Sequence, residues 1–241
     1  MKQYIGINSF SYIINKIKEI FAPVNHLHDS SDIQNLDDAI TDVLGNYGEI
    51  PDGYTRCSYI ESNGTQYIQT NVVPNQDTRV IIDFEVTDGT TPLPIFGSRV
   101  DQNTNAFGLW VENKEENAES VHVCPQYGSV KYTEYHILMN PKQRLFIDMY
   151  STGANVNGNI SSWERTEFST ESRLTIFSMC SSNIADPRRA IGKLRSCRIY
   201  ENGMLTLFLI PVITATGEAG MFDKVNGDFY GNSGEGVFVA G

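Results

Sequence analysis

In the stretch RVIIDFEV, Arg79 to Val86, the residues Val80, Ile82, Phe84 and Val86 share one face, and Arg79, Ile81, Asp83 and Glu85 share the other. A side-chain period of two belongs to a β-strand. One apolar face and one largely charged face place that strand between a core and water, as in an antiparallel sheet. The same alternation returns in Phe107-Gly-Leu109-Trp-Val111 and in Leu145-Phe-Ile147-Asp-Met149. Asn-Gly dipeptides begin at Asn63, Asn157, Asn202 and Asn226, each near β-prone residues, and this pair favours tight hairpin turns. No long helical period interrupts the chain from about Glu49 to Gly241. Many short strands with frequent turns predict a mainly β domain, an antiparallel β-sandwich or jelly roll.

Ahead of this zone the period changes. Phe10, Ile13, Ile14, Ile17, Ile20 and Phe21 recur at steps of three and four, which predicts an amphipathic helix ended by Pro23. A second helix is expected over about Asp32 to Leu44. Ser31 and Gln34 have the spacing of a capping box, and Gly45 stands where a C-terminal cap belongs. Its residues Ile33, Leu36, Ile40 and Val43 follow the spacing of a coiled-coil seam. Helices this short are marginal alone in water. Their stripes need a partner: the β domain of the same chain, other copies of the chain, or a larger assembly. The expected organisation is residues 1–22 as a docking helix, 23–48 as a linker and oligomerisation helix, and 49–241 as the β domain.

Composition narrows the function. The chain has 241 residues and a net charge of −11. Phosphate contacts need clustered Lys and Arg, so nucleic acid is not an expected partner. The apolar run near the N-terminus is broken by Asn8, Asn15, Lys16, Lys18 and Glu19, and no small-residue cleavage site follows it. It reads as neither a secretory signal nor a membrane span, and synthesis in a cytoplasm is expected. Cys57, Cys124, Cys180 and Cys197 are far apart and form no C-x-x-C pair, so reduced, mostly buried thiols are expected.

Two end stretches carry a resemblance. GYTRCSYIESNGTQYIQTNVVPNQDTRVIIDFE, starting at Gly53, resembles the opening of a concanavalin A-like (laminin-G-like) jelly-roll domain of the version found in phage and prophage structural proteins. GKLRSCRIYENGMLTLFLIPV followed by GMFDKVNGDFYGNSGEGVF resembles its closing strands. YIGINSFSYIINKIKEIF resembles the leading helix of phage fibre proteins, and NHLHDSSDIQNLDDAI a linker-and-helix element of tail fibres. The resemblance implies a non-enzymatic virion component, a head or tail fibre or a decoration protein. Its N-terminal helix would dock on other virion proteins, its second helix would assemble homotrimers, and its jelly roll would face host glycans. A carbohydrate-binding module of a secreted bacterial protein or enzyme is the alternative. On this resemblance Tyr59, Ile60, Tyr67 and Ile68 are strand residues that begin the sandwich.

Glycosidases of this fold carry Glu-x-Asp-x-Glu on one strand face, where two carboxylates flank the sugar bond. Here Asp83 and Glu85 hold two of the places and Ile81 the third, so the pair reads as a solvated outer face and no catalytic residue is expected. If Phe107, Leu109 and Val111 face the core, Trp110 faces outward. By the same logic Phe146, Asp148 and Tyr150 face outward from Leu145, Ile147 and Met149. Trp110, Phe146 and Tyr150 are therefore the candidate ligand-binding aromatics, with Trp163 a further one. His26 and His28 form H-x-H. In trimeric phage fibres such elements place six imidazoles around a transition metal on the threefold axis, and the resemblance extends that to this pair. Calcium in the Asp101–Asn105 loop is the second metal candidate.

Overall fold

The computed structural model describes residues 50–88, 92–101, 104–112, 121–129, 137–139 and 143–241. The two expected helices, the H-x-H pair and the docking and oligomerisation residues Phe10, Ile13, Ile14, Ile17, Phe21, Ile33, Leu36, Ile40 and Val43 lie outside them. Among the described residues the regular structure is all strand. In chain order the strands are β1 (Tyr54–Arg56), β2 (Ile60–Asn63), β3 (Ile68–Gln69), β4 (Thr78–Asp88), β5 (Leu93–Arg99), β6 (Ala106–Glu112), β7 (Val121–Gly128), β8 (Ile137–Met139), β9 (Arg144–Tyr150) and β10 (Gly153–Val156). They continue as β11 (Asn159–Ser162), β12 (Thr175–Ile176), β13 (Cys180–Ser181), β14 (Ile184–Ala185), β15 (Ile191–Glu201), β16 (Met204–Thr214), β17 (Ala219–Asp223), β18 (Phe229–Tyr230) and β19 (Val239–Ala240).

They form two sheets. The larger runs β11-β10-β9-β4-β15-β16-β17-β18, with β1 on β16, β2 on β15 and β19 on β2. The smaller runs β14-β13-β5-β6-β7-β8, with β12 joining β5 to β3. The pairings are antiparallel except that of β13 with β5. The fold is thus mainly β, with two antiparallel to mixed sheets. Strand β15 is the hinge of the larger sheet. It pairs along its length with β4 on one edge, while β16 and β2 share the other.

The apolar faces of the two sheets share one core. Val80, Ile82, Phe84 and Val86 of β4 and Leu145, Ile147 and Met149 of β9 enter it from the larger sheet. Phe107, Leu109 and Val111 of β6 enter it from the smaller one. Phe84 meets Phe177 edge-on, ring centroids 5.2 Å apart. Each such side chain taken from water contributes about 1.5–3 kcal/mol, which is what holds the sheets face to face. Ile60 and Ile68 are fully buried in the same core. Tyr59 and Tyr67, expected in strands, stand just before β2 and β3 and are half-buried.

The opening and closing stretches of the domain meet in space. Strand β19 pairs with β2 (Val239 with Glu61, Ala240 with Ile60). Thr65 Oγ1 donates to the Glu235 carbonyl at 3.1 Å, and the Ser233 amide to the Tyr67 carbonyl at 2.8 Å. Two of the Asn-Gly pairs build two-residue hairpins. Asn157-Gly158 joins β10 to β11 with φ of 51° and 86°, and Asn202-Gly203 joins β15 to β16 with φ of 51° and 77°. Positive φ at both positions is the primed turn that matches strand twist. The other two pairs depart from expectation. Asn63-Gly64 closes a local turn in which Gln66 Oε1 accepts from the Asn63 amide. Asn226-Gly227 sits in a longer loop gathered around the buried carboxylate of Asp223, which accepts from the Phe208, Val225 and Asn226 amides.

Candidate functional site

The outward face of β9, β4 and β15 follows directly from the alternation that fills the core. Between the buried residues of β9 stand Arg144, Phe146, Asp148 and Tyr150; between those of β4 stand Arg79, Ile81, Asp83 and Glu85. Register aligns them across strands. Phe146 lies opposite Asp83, Asp148 opposite Ile81, and Arg144 opposite Glu85, which in turn faces Lys193 of β15. A register shift between Leu194 and Ser196 frees Arg195 to turn toward the same charges.

These groups form a grid of ion pairs. The Arg144 guanidinium donates to both oxygens of Asp83, at 2.7 and 2.5 Å. Arg79 does the same to Asp148, at 2.8 and 2.9 Å. Arg195 donates to Glu85 at 2.7 Å, and Lys193 stands 3.8 Å from the same carboxylate. The Arg195 hydrogen bond is the largest influence on Glu85 and holds its carboxyl below the ordinary range. The Asp83 bond in turn raises Arg144 further above its usual value. Asp83 and Glu85 therefore stand on the outer face, as the sequence predicts, but engaged by arginines rather than simply solvated. A carboxylate held by a guanidinium in this way is a poor proton donor or nucleophile. With Glu61 of β2, which lies opposite Lys193, the face sets the four cations Arg79, Arg144, Lys193 and Arg195 against the four carboxylates of Glu61, Asp83, Glu85 and Asp148, while Arg198 is buried over the Phe208 ring.

Phe146 is the open aromatic of this grid. It is 55% exposed, and the Arg144 guanidinium lies 4.7 Å from its ring centroid. Its position is fixed from below, because the Phe146 amide donates to Asn157 Oδ1 at 2.7 Å and Asn157 Nδ2 donates to the Arg144 carbonyl at 2.9 Å. The β10–β11 hairpin thus sets the backbone that carries the ring. Ile160 of β11, 64% exposed, extends the apolar part of the face. Tyr150 is only half-buried and sits at the end of β9.

The other predicted aromatics are placed differently. Trp110 points away from the shared core, as alternation requires, yet it is 2% exposed. It packs with Cys124 and Met179, and the Arg99 and Arg188 guanidinium carbons lie 5.5 and 4.7 Å from its ring centroid. Asp186 holds both arginines over it. Burial is the largest single influence and favours the neutral acid, but the hydrogen bonds from the Arg188 side chain and amide and the charges of Arg188 and Arg99 together outweigh it and leave Asp186 below the usual carboxylate range. The expectation of an exposed Trp110 is corrected: alternation fixes a face, while the segment from Met179 to Arg188 that closes over it is distant in sequence. Trp163 is also corrected. It is buried in the core and stacks on Tyr127 with centroids 5.4 Å apart. Its polar neighbours in sequence concealed an inward side chain.

No metal centre emerges in the described part. The Asp101 carboxylate accepts from the Thr104 amide and hydroxyl, at 3.0 and 2.7 Å, which is turn chemistry. Among the described residues no group of three or more His, Cys, Asp or Glu side chains is placed to hold an ion, and no helix is long and apolar enough to cross a membrane. No known protein-family model matches the chain, and comparison with curated proteins finds no match.

Proposed function

We propose that this protein is a non-enzymatic structural component of a phage particle, a head or tail fibre or a decoration protein, whose jelly-roll domain from Glu49 to Gly241 is displayed outward and attaches to glycans. The N-terminal zone docks on the particle and gathers the chains as trimers. The sequence resemblance supports the phage assignment, and the pairing of the two stretches that carry it, β2 with β19, supports the jelly-roll reading. The observation that carries the attachment role is Phe146. It is an exposed ring on a rigid central strand, bordered by preset donors and acceptors, and aromatic rings in such settings stack on the apolar face of a sugar. The ion-paired state of Asp83 and Glu85 favours binding over hydrolysis.

Electron microscopy of purified particles, with an antibody raised against residues 50–241, tests the assignment. Label at regular positions on the particle surface is the expected result. Label confined to protein free of particles refutes it. In the same preparation the protein should release no reducing ends from any glycan it binds.

A further inference from the structure

We propose that Asn202 is a modification site. It converts without an enzyme, by cyclisation onto the Gly203 amide, to aspartate and isoaspartate, while the other three Asn-Gly pairs of the chain are protected for as long as the domain is folded.

The chemistry needs two free groups. The backbone nitrogen after the asparagine must lose its proton and attack the side-chain carboxamide carbon, and the carboxamide must be able to turn toward it. Ring closure forms a new C–N bond and expels the amide nitrogen as ammonia. Water then opens the succinimide. Cleavage at the side-chain carbonyl leaves aspartate, and cleavage at the main-chain carbonyl leaves isoaspartate. One water is consumed, one ammonia is released, and nothing is oxidised or reduced. Asparagine is thermolabile, and a following glycine has no Cβ to hinder the attacking nitrogen.

A fold blocks this reaction by engaging either group, and three of the pairs are engaged at both. Asn63 Oδ1 accepts from Thr65 Oγ1 at 2.9 Å, and the Gly64 amide donates to Ser62 Oγ at 3.1 Å. The Asn157 carboxamide is held by the Phe146 amide and the Arg144 carbonyl, and the Gly158 amide donates to Asn155 Oδ1 at 2.8 Å. Asn226 Nδ2 donates to the Thr206 carbonyl at 3.0 Å and to Asp223 Oδ2 at 2.6 Å, and the Gly227 amide donates to the Asp223 carbonyl at 2.9 Å. At the β15–β16 turn neither group is engaged: among the described residues the Asn202 carboxamide and the Gly203 amide have no hydrogen-bond partner. Both residues are exposed, and a Cβ built on Gly203 would meet no atom within 4 Å, so ring and water have room.

The two products act differently on the fold. Asp-Gly suits the same primed turn as Asn-Gly, so aspartate adds a surface charge and leaves the hairpin closed. Isoaspartate runs the backbone through the former side-chain methylene. That lengthens a two-residue loop that must set Glu201 opposite Met204, and it loosens the end of β15.

The test ages the full chain at pH 8 and maps its peptides by mass, with isoaspartate identified by enzymatic methylation. The expected result is that position 202 converts first, faster as pH rises, with ammonia released in step. In denaturant all four pairs should convert at similar rates. Gly203→Ala should slow the reaction at Asn202 about tenfold, because its Cβ crowds ring closure. Asn202→Asp should melt like the unaged protein, while the isoaspartate fraction of aged protein melts lower. Conversion of Asn63, Asn157 or Asn226 in the folded chain as fast as Asn202 would overturn the proposal. So would an Asn202 that stays intact in the folded chain over the time in which the unfolded chain converts.

Discussion

Cys197 sits at the centre of β15, fully buried, and burial pushes its thiol up to about 12. The thiolate is the reactive form, so this cysteine is inert while the domain is folded. Cys57 is half-buried with a raised thiol, and Cys124 and Cys180 are buried. Alkylation at pH 8 followed by peptide mass analysis should therefore label Cys57 first. The other three should react only when the domain is unfolded, and early labelling of Cys197 would show that the β4–β15–β16 core opens locally. Glu85 gives a prediction in pH. Its folded carboxyl is held below the ordinary 4.5 by Arg195, so it binds its proton less readily folded than unfolded. Its contribution to stability is complete above about 4.5 and is lost as pH falls through the lower folded value. The pair is partly exposed, so the effect is under about 1 kcal/mol. Glu85→Gln should flatten the dependence of melting temperature on pH in the acid range while changing little at pH 7. The facing of these residues was legible from period-two spacing alone. Their partners were not, since Arg144 and Arg195 reach Asp83 and Glu85 from strands remote in sequence.

At the scale of elements, the long periodic strands β4, β6 and β9 stand where the alternation put them. The shorter ones had no such signal. Strand β7 carries Pro125 in a position paired with Leu109, and β12 and β13 have two residues each, too few to show a period. Hairpin chemistry was readable only where the flanking strands pair on both sides of the dipeptide. Gly203, at φ 77°, should accept Ala at a cost of about 1–2 kcal/mol, seen as a lower denaturation midpoint with unchanged slope. A different glycine pair ties the two halves of the smaller sheet. Gly97 and Gly108 face each other across β5 and β6, and the Met179 side chain lies on both, so that a Cβ on either would come within 2.5 or 2.6 Å of Met179 Cε. Gly108→Ala should destabilise the domain by about 1–3 kcal/mol, the usual cost of overpacking. Because the clash falls partly on neighbouring backbone as well, Met179→Ala in the same chain should recover only part of that loss.

At the scale of the whole molecule, Ile50 to Gly241 forms one compact unit with a single shared core and its two end stretches stitched together. A unit closed in this way is expected to fold without the N-terminal zone. A fragment starting at Glu49 should melt in one cooperative transition. Phe84→Ala within it should cost about 3–5 kcal/mol, since Phe84 is fully buried against Phe177. The two-sheet class of this unit was legible because half-buried strands write their period into the sequence. The open or covered state of each aromatic was not, because segments remote in sequence, such as Met179 to Arg188 over Trp110, decide it. The proposal divides the labour between a domain expected to fold on its own and an N-terminal zone expected to gather and anchor it. Sedimentation equilibrium of the full chain and of the Glu49 fragment, both at micromolar concentration, tests that division directly. The account predicts three copies of the 27.0 kDa chain in the first case and a folded single copy in the second. A monomeric full chain, or a fragment that still assembles, would contradict it.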